Sequence, residues 1–256
     1  MNNRIAAIAR YTVLEALRTR LALTVLVVAV LVLAASFFVR EIAVTESLRF
    51  QTAFYAATMR FAMVFLAALY VIASIGREFQ DKGLDMVVAL DLPRGHYALG
   101  KLAGYLVVAT ALAAAAGVPL LFLTGSESVF QWTASLAIEL AVIVALALFC
   151  AITFNQLMPA ASFVLAFYLL ARALAAARLI AANPIAGAES LTHRVIAGIL
   201  DALALVIPPI DQWTRTSWLV DDAGAWSALA VIVAQGAICT LIFGAAAVFD
   251  LYRKNF

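Results

Sequence analysis

Few residues in this sequence are of types that could do chemistry, and their spacing decides which chemistry is open. His96 and His193 are the only histidines, and neither belongs to a His-Glu-x-x-His pair that would hold zinc. Gly125-Ser126-Glu127-Ser128 lacks the flanks of a nucleophile elbow. Met59 and Met63 fall four residues apart, but the five methionines are otherwise scattered and this pair reads as packing, so no metal site is assigned. Cys150 and Cys239 lie inside apolar runs, where cysteine acts as a small buried hydrophobe rather than as part of a disulfide framework. Gly95-His96-Tyr97-Ala98-Leu99-Gly100-Lys101 matches Gly-x4-Gly-Lys, the opening of a phosphate-binding loop. The next residue is Leu102 instead of the Ser or Thr that would ligate magnesium, no strand precedes, and an apolar run follows. No catalytic residue and no nucleotide site is therefore expected in this chain.

What is left is charge in unusual places. Glu139, Arg60 and Arg172 lie in or beside apolar runs, and Arg178 follows on the same run as Arg172. Ionisable groups within a membrane are costly and mark pairs or pathways. A Glu139–Arg60 or a Glu139–Arg172 ion pair would neutralise them, either to lock helix packing or to meet a substrate. The elements that must position these charges follow from composition. Of 256 residues, 66% are hydrophobic and 12% charged, with mean hydropathy +1.04. Soluble domains carry about 25% charged residues, so a water-soluble enzyme and a disordered chain are both excluded. The net charge of +2 gives no basic field for nucleic acid.

Six apolar runs are long enough to span a bilayer, which takes about 20 residues: Leu21–Val39, Arg60–Ile75 with a lead from Ala53, Leu102–Leu123, Trp132–Phe154, Ala160–Ala182 and Trp226–Phe249. The first exceeds the 7–15 residues of a signal-peptide core, so it is expected to remain as a span. With the N-terminus inside, ten Lys and Arg fall in cytoplasmic segments against four outside, which predicts cytoplasmic termini. Residues 3–18 repeat apolar or small side chains at helical spacing: Ile5, Ile8, Ala9, Thr12, Val13, Ala16 and Leu17, with Arg4, Tyr11, Glu15 and Arg18 opposite. This predicts an interfacial helix on the inner membrane surface. Between the fifth and sixth runs, Val195–Ile207 is too short to cross and ends at Pro208-Pro209, so a re-entrant or interfacial helix is expected within 183–224. No internal repeat or soluble domain is visible, and residues 1–256 read as one membrane domain.

The most polar loop, residues 76–101, follows the second run. Its centre predicts a short helix with Leu84, Val87, Val88 and Leu92 on one face, broken by Pro93 and Gly95. The sequence of an acidic residue after the second span, a glycine, an apolar helix, Leu92-Pro93-Arg94 and then Tyr97-Ala98-Leu99-Gly100-Lys101 resembles the permease subunits of type-2 exporter ABC transporters. Ile5-Ala6, Glu15-Ala16-Leu17-Arg18-Thr19-Arg20 and Phe249-Asp250-Leu251-Tyr252-Arg253-Lys254 are similar to that family as well, in particular to permeases grouped with multicopper-enzyme maturation systems.

The resemblance implies an all-α permease with ATP and magnesium on a separate ATPase subunit, present in two copies, and none on this chain. It further implies a second permease copy, a homodimer being expected, in the bacterial inner membrane among membrane lipid. The loop helix at Asp81–Leu92 would be the coupling helix docked on the ATPase, with Glu78 and Gly83 at the matching family positions. Leu84, Met86 and Val87 would enter a groove, and Val88 shares a face with Leu84 and Val87. Asp81, Lys82, Asp85 and Asp91 would form a polar rim, and Pro93 and Arg94 follow in the family-like Leu92-Pro93-Arg94. Residues 1–20, carrying Arg4, Arg10, Glu15 and Arg18, would be the connecting helix, and the 183–209 segment would close the outer end of a translocation path. The rival expectation is a secondary transporter driven by an ion gradient, which calls for inverted halves and buried acids; Glu139 is the one convincing acid within a run, and no repeat accompanies it.

Overall fold

The computed structural model describes residues 2–43, 46–80, 94–154, 156–182, 191–221 and 224–253. Among these the chain is helical, without strands: α1 (Asn2–Arg18), α2 (Leu21–Ile42), α3 (Ser47–Gln80), α4 (Arg94–Gly117), α5 (Ser126–Phe154), α6 (Leu157–Ala182), α7 (Leu191–Val206), α8 (Ser217–Val220) and α9 (Trp226–Arg253). Short 3-10 turns at Val118–Phe122 and Ile210–Gln212 join α4 to α5 and α7 to α8. Runs this rich in Leu, Ala and Val in lipid have no water to bond their backbone, so a helix that satisfies every N–H and C=O internally is the available form. Proline punctuates as its missing N–H requires: Pro119 falls in the 3-10 turn, Pro159 in the first turn of α6, and Pro208-Pro209 beyond the end of α7.

Six helices, α2 to α6 and α9, are long and apolar enough to cross a membrane, so the chain is a multi-pass membrane protein. Burial ranks them. The apolar window of α5 is 72% buried, while that of α2 is 17% buried, so α5 is the axis of the bundle and α2 a peripheral stave. Helix α5 packs against α3, α4, α6 and α9. The outward faces carry Leu23, Leu26, Leu31, Phe38, Leu241 and Phe249, a surface suited to lipid.

The second span differs most from the sequence-based expectation. It was expected to begin near Arg60, yet α3 is 34 residues long and starts at Ser47. Its early polar residues, Gln51 and Thr52, point inward and are 0% and 2% exposed. Gln51 Nε2 donates to Ser36 Oγ of α2 at 3.5 Å and Thr52 Oγ1 donates back to the Leu48 carbonyl at 2.9 Å, so these polar groups face the bundle and not an interfacial surface. At about 1.5 Å per residue, α3 is roughly 51 Å long, well beyond the hydrocarbon thickness of about 30 Å.

Candidate functional site

Two polar clusters lie at opposite ends of the bundle. The first, here the proximal cluster, gathers the C-terminal end of α1, the C-terminal end of α3 and the start of α4. Lys101 of α4 is only 3% exposed, a depth at which an ammonium needs partners. It pairs with Glu78 of α3 and donates to Glu15 Oε2 of α1 at 3.4 Å. The Tyr97 hydroxyl donates to the other Glu78 oxygen. Glu15 Oε1 accepts from Ser74 Oγ at 2.8 Å and from Arg77 Nη2 at 3.3 Å. Behind them Tyr105 OH donates to Ser74 Oγ at 3.0 Å, and Tyr70 OH donates to the Thr12 carbonyl at 3.4 Å. Two carboxylates and two cations thus neutralise each other across three helices. Tyr252 of α9 joins the same end, its hydroxyl accepting from the Gly95 amide at 3.3 Å.

The spacing of the sequence explains this convergence. Tyr97, Lys101 and Tyr105 recur every four residues and share a face of α4; Ser74, Arg77 and Glu78 share a face of α3. Helix α1 reaches them because α4 has a notch. A Cβ on Gly104 would lie 2.6 Å from Thr12 Cβ and 2.9 Å from the Ala9 carbonyl oxygen, and one on Gly100 would lie 2.7 Å from Ile8 Cβ. Gly100-x3-Gly104 is a small-residue seat that lets two helix backbones approach closely. Leucine at Gly104 is expected to lift α1 from α4. Overpacking of this kind costs about 1–3 kcal/mol, read as a lower thermal midpoint in detergent together with faster proteolysis within residues 2–18. Unchanged protection of those residues would mean that α1 is not held by this notch.

This places each residue expected at the loop and at α1. Arg4, Arg10 and Arg18 are exposed. Glu15 was expected on their side of the helix and instead turns toward the bundle, because Ile8, Thr12 and Glu15 follow an i, i+4, i+7 strip that faces α3 and α4. Glu78 lies against Lys101 and Tyr97, and Arg94 opens α4. Asp81, Gly83, Leu84, Asp85, Val87, Val88 and Pro93 lie outside the described residues, as does the first part of the segment expected at 183–224. The glycine and lysine that imitate a phosphate loop have another use here: Gly100 seats a helix and Lys101 carries the buried ion pairs.

The distal cluster lies between α3, α5, α6 and the connector after α7. Glu139 of α5 is fully buried, and Arg172 of α6 approaches it at 3.5 Å. Arg172 also donates to the Ile210 carbonyl at 3.5 Å, while Arg60 of α3 donates to the Thr214 carbonyl at 2.6 Å. Arg60, Tyr168, Arg172 and Glu139 lie within electrostatic range of one another. Of the two sequence-based pairings, Glu139–Arg172 is the one in contact, and Arg60 is satisfied mainly by backbone. Arg60 Nε, Glu139 Oε2, Tyr168 OH and Thr214 Oγ1 are buried without a hydrogen-bond partner among the described residues. The connector is also pinned by Trp213, whose indole donates to Gln235 Oε1 of α9 at 3.0 Å, and by Thr124, which donates to the Leu219 carbonyl at 3.0 Å. These carbonyl anchors could not be found from side-chain types.

Among the described residues no group of three or more His, Cys, Asp and Glu could hold a metal. Comparison with known proteins finds no family model that matches this chain and no curated protein that matches it.

Proposed function

We propose that this chain is the membrane-spanning permease subunit of an ATP-driven transporter of the type-2 exporter class. In this reading ATP is hydrolysed on two copies of a partner subunit, and a second copy of the chain completes the pathway in the bacterial inner membrane, with both termini cytoplasmic. One observation carries it. The two edges of the polar segment 81–93 and the N-terminal helix are tied together by the Glu15–Lys101–Glu78 cluster at one end of the bundle. A partner pressing on that segment would act on α1, α3 and α4 at once rather than on a loose loop, which is what transmission of a nucleotide-driven motion requires. Exposed Arg4, Arg10 and Arg18 on α1 suit an anionic inner membrane surface. The helix at Leu191–Val206 and its pinned connector would close the outer end.

A second reading, an ion-coupled secondary transporter, is favoured by one feature only: a buried carboxylate, Glu139, with an unsatisfied oxygen inside the bundle. Isolation of the chain from native membrane in mild detergent separates the two. A subunit with a complete phosphate loop is expected to accompany the wild type, to be lost with Gly83→Pro or Asp85→Lys, and to be retained with Glu139→Gln. An intact chain that carries no ATPase, and whose transport in vesicles follows a proton or sodium gradient without ATP, would establish the second reading.

A further inference from the structure

A cavity of about 780 Å³ opens at the distal end between α6, α7 and the 3-10 turn Ile210–Gln212. Its volume falls within the range of small-molecule sites, about 300–1,000 Å³. Four charged side chains line it: Arg178 of α6, Asp201 of α7, and Asp211 and Arg215 of the connector. Leu179, Leu200 and several alanines supply an apolar wall. Arg178 meets Asp201 at 2.9 Å, and Arg215 donates its Nε–H to the Gln212 carbonyl at 3.1 Å, so both guanidiniums are oriented while keeping further N–H groups for another acceptor.

The charge pattern selects the ligand. Among the described residues, two cations and two anions line one space. A simple anion would pair with the arginines but face two aspartates, and a simple cation would face two arginines. A phosphate joined to an ammonium by a short linker pairs with both: guanidinium with phosphate in forked geometry, carboxylate with ammonium. Depth selects the source. The lining residues of α6 fall in its final turns, at the end of the apolar stretch Leu157–Ala181, the level at which a bilayer passes from hydrocarbon to headgroup. The apolar wall lies where glycerol and the first acyl carbons would run.

We propose that this cavity binds the headgroup of a zwitterionic phospholipid of the ethanolamine class, with phosphate against Arg178 and Arg215 and ammonium against Asp201 and Asp211. The proposal stands apart from the transport reading and requires only that the chain sits in a membrane. The test is native mass spectrometry of the full chain, delipidated in detergent and titrated with phosphatidylethanolamine or with phosphatidylglycerol of the same acyl chains. The ethanolamine lipid is expected to be retained about tenfold better than the glycerol lipid, roughly the discrimination available from one charge-assisted contact. Arg215→Gln should weaken both lipids, whereas Asp211→Asn should narrow the preference by removing one of the two ammonium partners while leaving the phosphate site. Ala197→Trp, which narrows the cavity and changes no charge, should lower retention of both lipids and serves as the control should a charge variant fail to fold. Soluble phosphoethanolamine that displaces the lipid would assign the recognition to the headgroup alone; failure to displace would make the acyl chains part of the same site. Equal retention of the two lipids by the wild type, or retention untouched by all three substitutions, overturns the proposal.

Discussion

Lys101→Met is expected to lower the stability of the folded chain by about 3 kcal/mol. Removing one partner of a buried ion pair costs about 3–5 kcal/mol because the other charge stays buried. Here the Lys101 side chain is 4% exposed, but Glu15 and Glu78 retain 21% and 28% exposure, so water takes back part of the penalty and the lower end applies. Methionine keeps most of the aliphatic stem, so lost packing contributes little, although the ammonium's place over the Tyr105 ring, 5.7 Å from its centroid, is given up. At about 2–4 °C per kcal/mol for a chain of this size, the thermal midpoint in detergent should fall by roughly 10 °C. The diagnostic is the double variant. Glu78→Gln in the Lys101→Met background should cost much less than Glu78→Gln alone, since the buried carboxylate it removes has already lost its partner. Strict additivity, within about 0.5 kcal/mol, would show that Lys101 and Glu78 do not act as a pair.

Glu139→Ala should have the larger effect. It leaves buried Arg60 and partly buried Arg172, whose side chain is 23% exposed, with the Thr214 and Ile210 carbonyls and the neighbouring Tyr168 in place of a counter-ion, so the penalty falls mainly on Arg60. Uncompensated buried charge of this kind costs about 3–5 kcal/mol, and the vacated volume adds a cavity cost. The expected result is a sharp loss of monodisperse protein on extraction, with the remainder unfolding well below the wild type. Glu139→Gln preserves the shape and should lie between the two. Arg172→Leu added to Glu139→Gln should recover stability relative to the single variant, because it removes the cation that Glu139 neutralises. A wild-type midpoint for Glu139→Ala would mean that water reaches this cluster and that the carboxylate is not needed as a counter-ion.

Much of the fold is legible in the sequence because hydrophobic runs report directly on helices in lipid. The existence of all six spans follows from length and composition. Their limits do not, where polar residues face inward. Gln51 and Thr52 interrupt the apolar pattern yet are interior in the fold, so α3 starts earlier than the apolar run from Arg60 indicates. The polar sites were half legible. Glu139, Arg60 and Arg172 are conspicuous as charges in apolar runs, but their partners include the carbonyls of Ile210 and Thr214, which no side-chain pattern reveals. Glu15 was assigned to the wrong face because a helical wheel drawn for a flat membrane ignores a second helix on the same side. Gly100-x3-Gly104, four residues apart at the mouth of a span, was the available signal for a close helix seat.

Helix α3 meets both clusters, with Arg60 at one and Glu78 at the other. Eighteen residues separate them, about 27 Å along an unbroken helix. Such a rod bends little, so it behaves as a beam with a fitting at each end. A tilt of about 5° pivoting on Arg60 would sweep Glu78 through roughly 2 Å, the scale of helix shifts that separate discrete states at packed interfaces. That sweep is comparable to the reach of an ion pair, so the Lys101 contact would either travel with the beam or break. A tilt of α3 about the Arg60–Thr214 contact would thus be felt at the seat of α1, and the two ends of the bundle would move as one body.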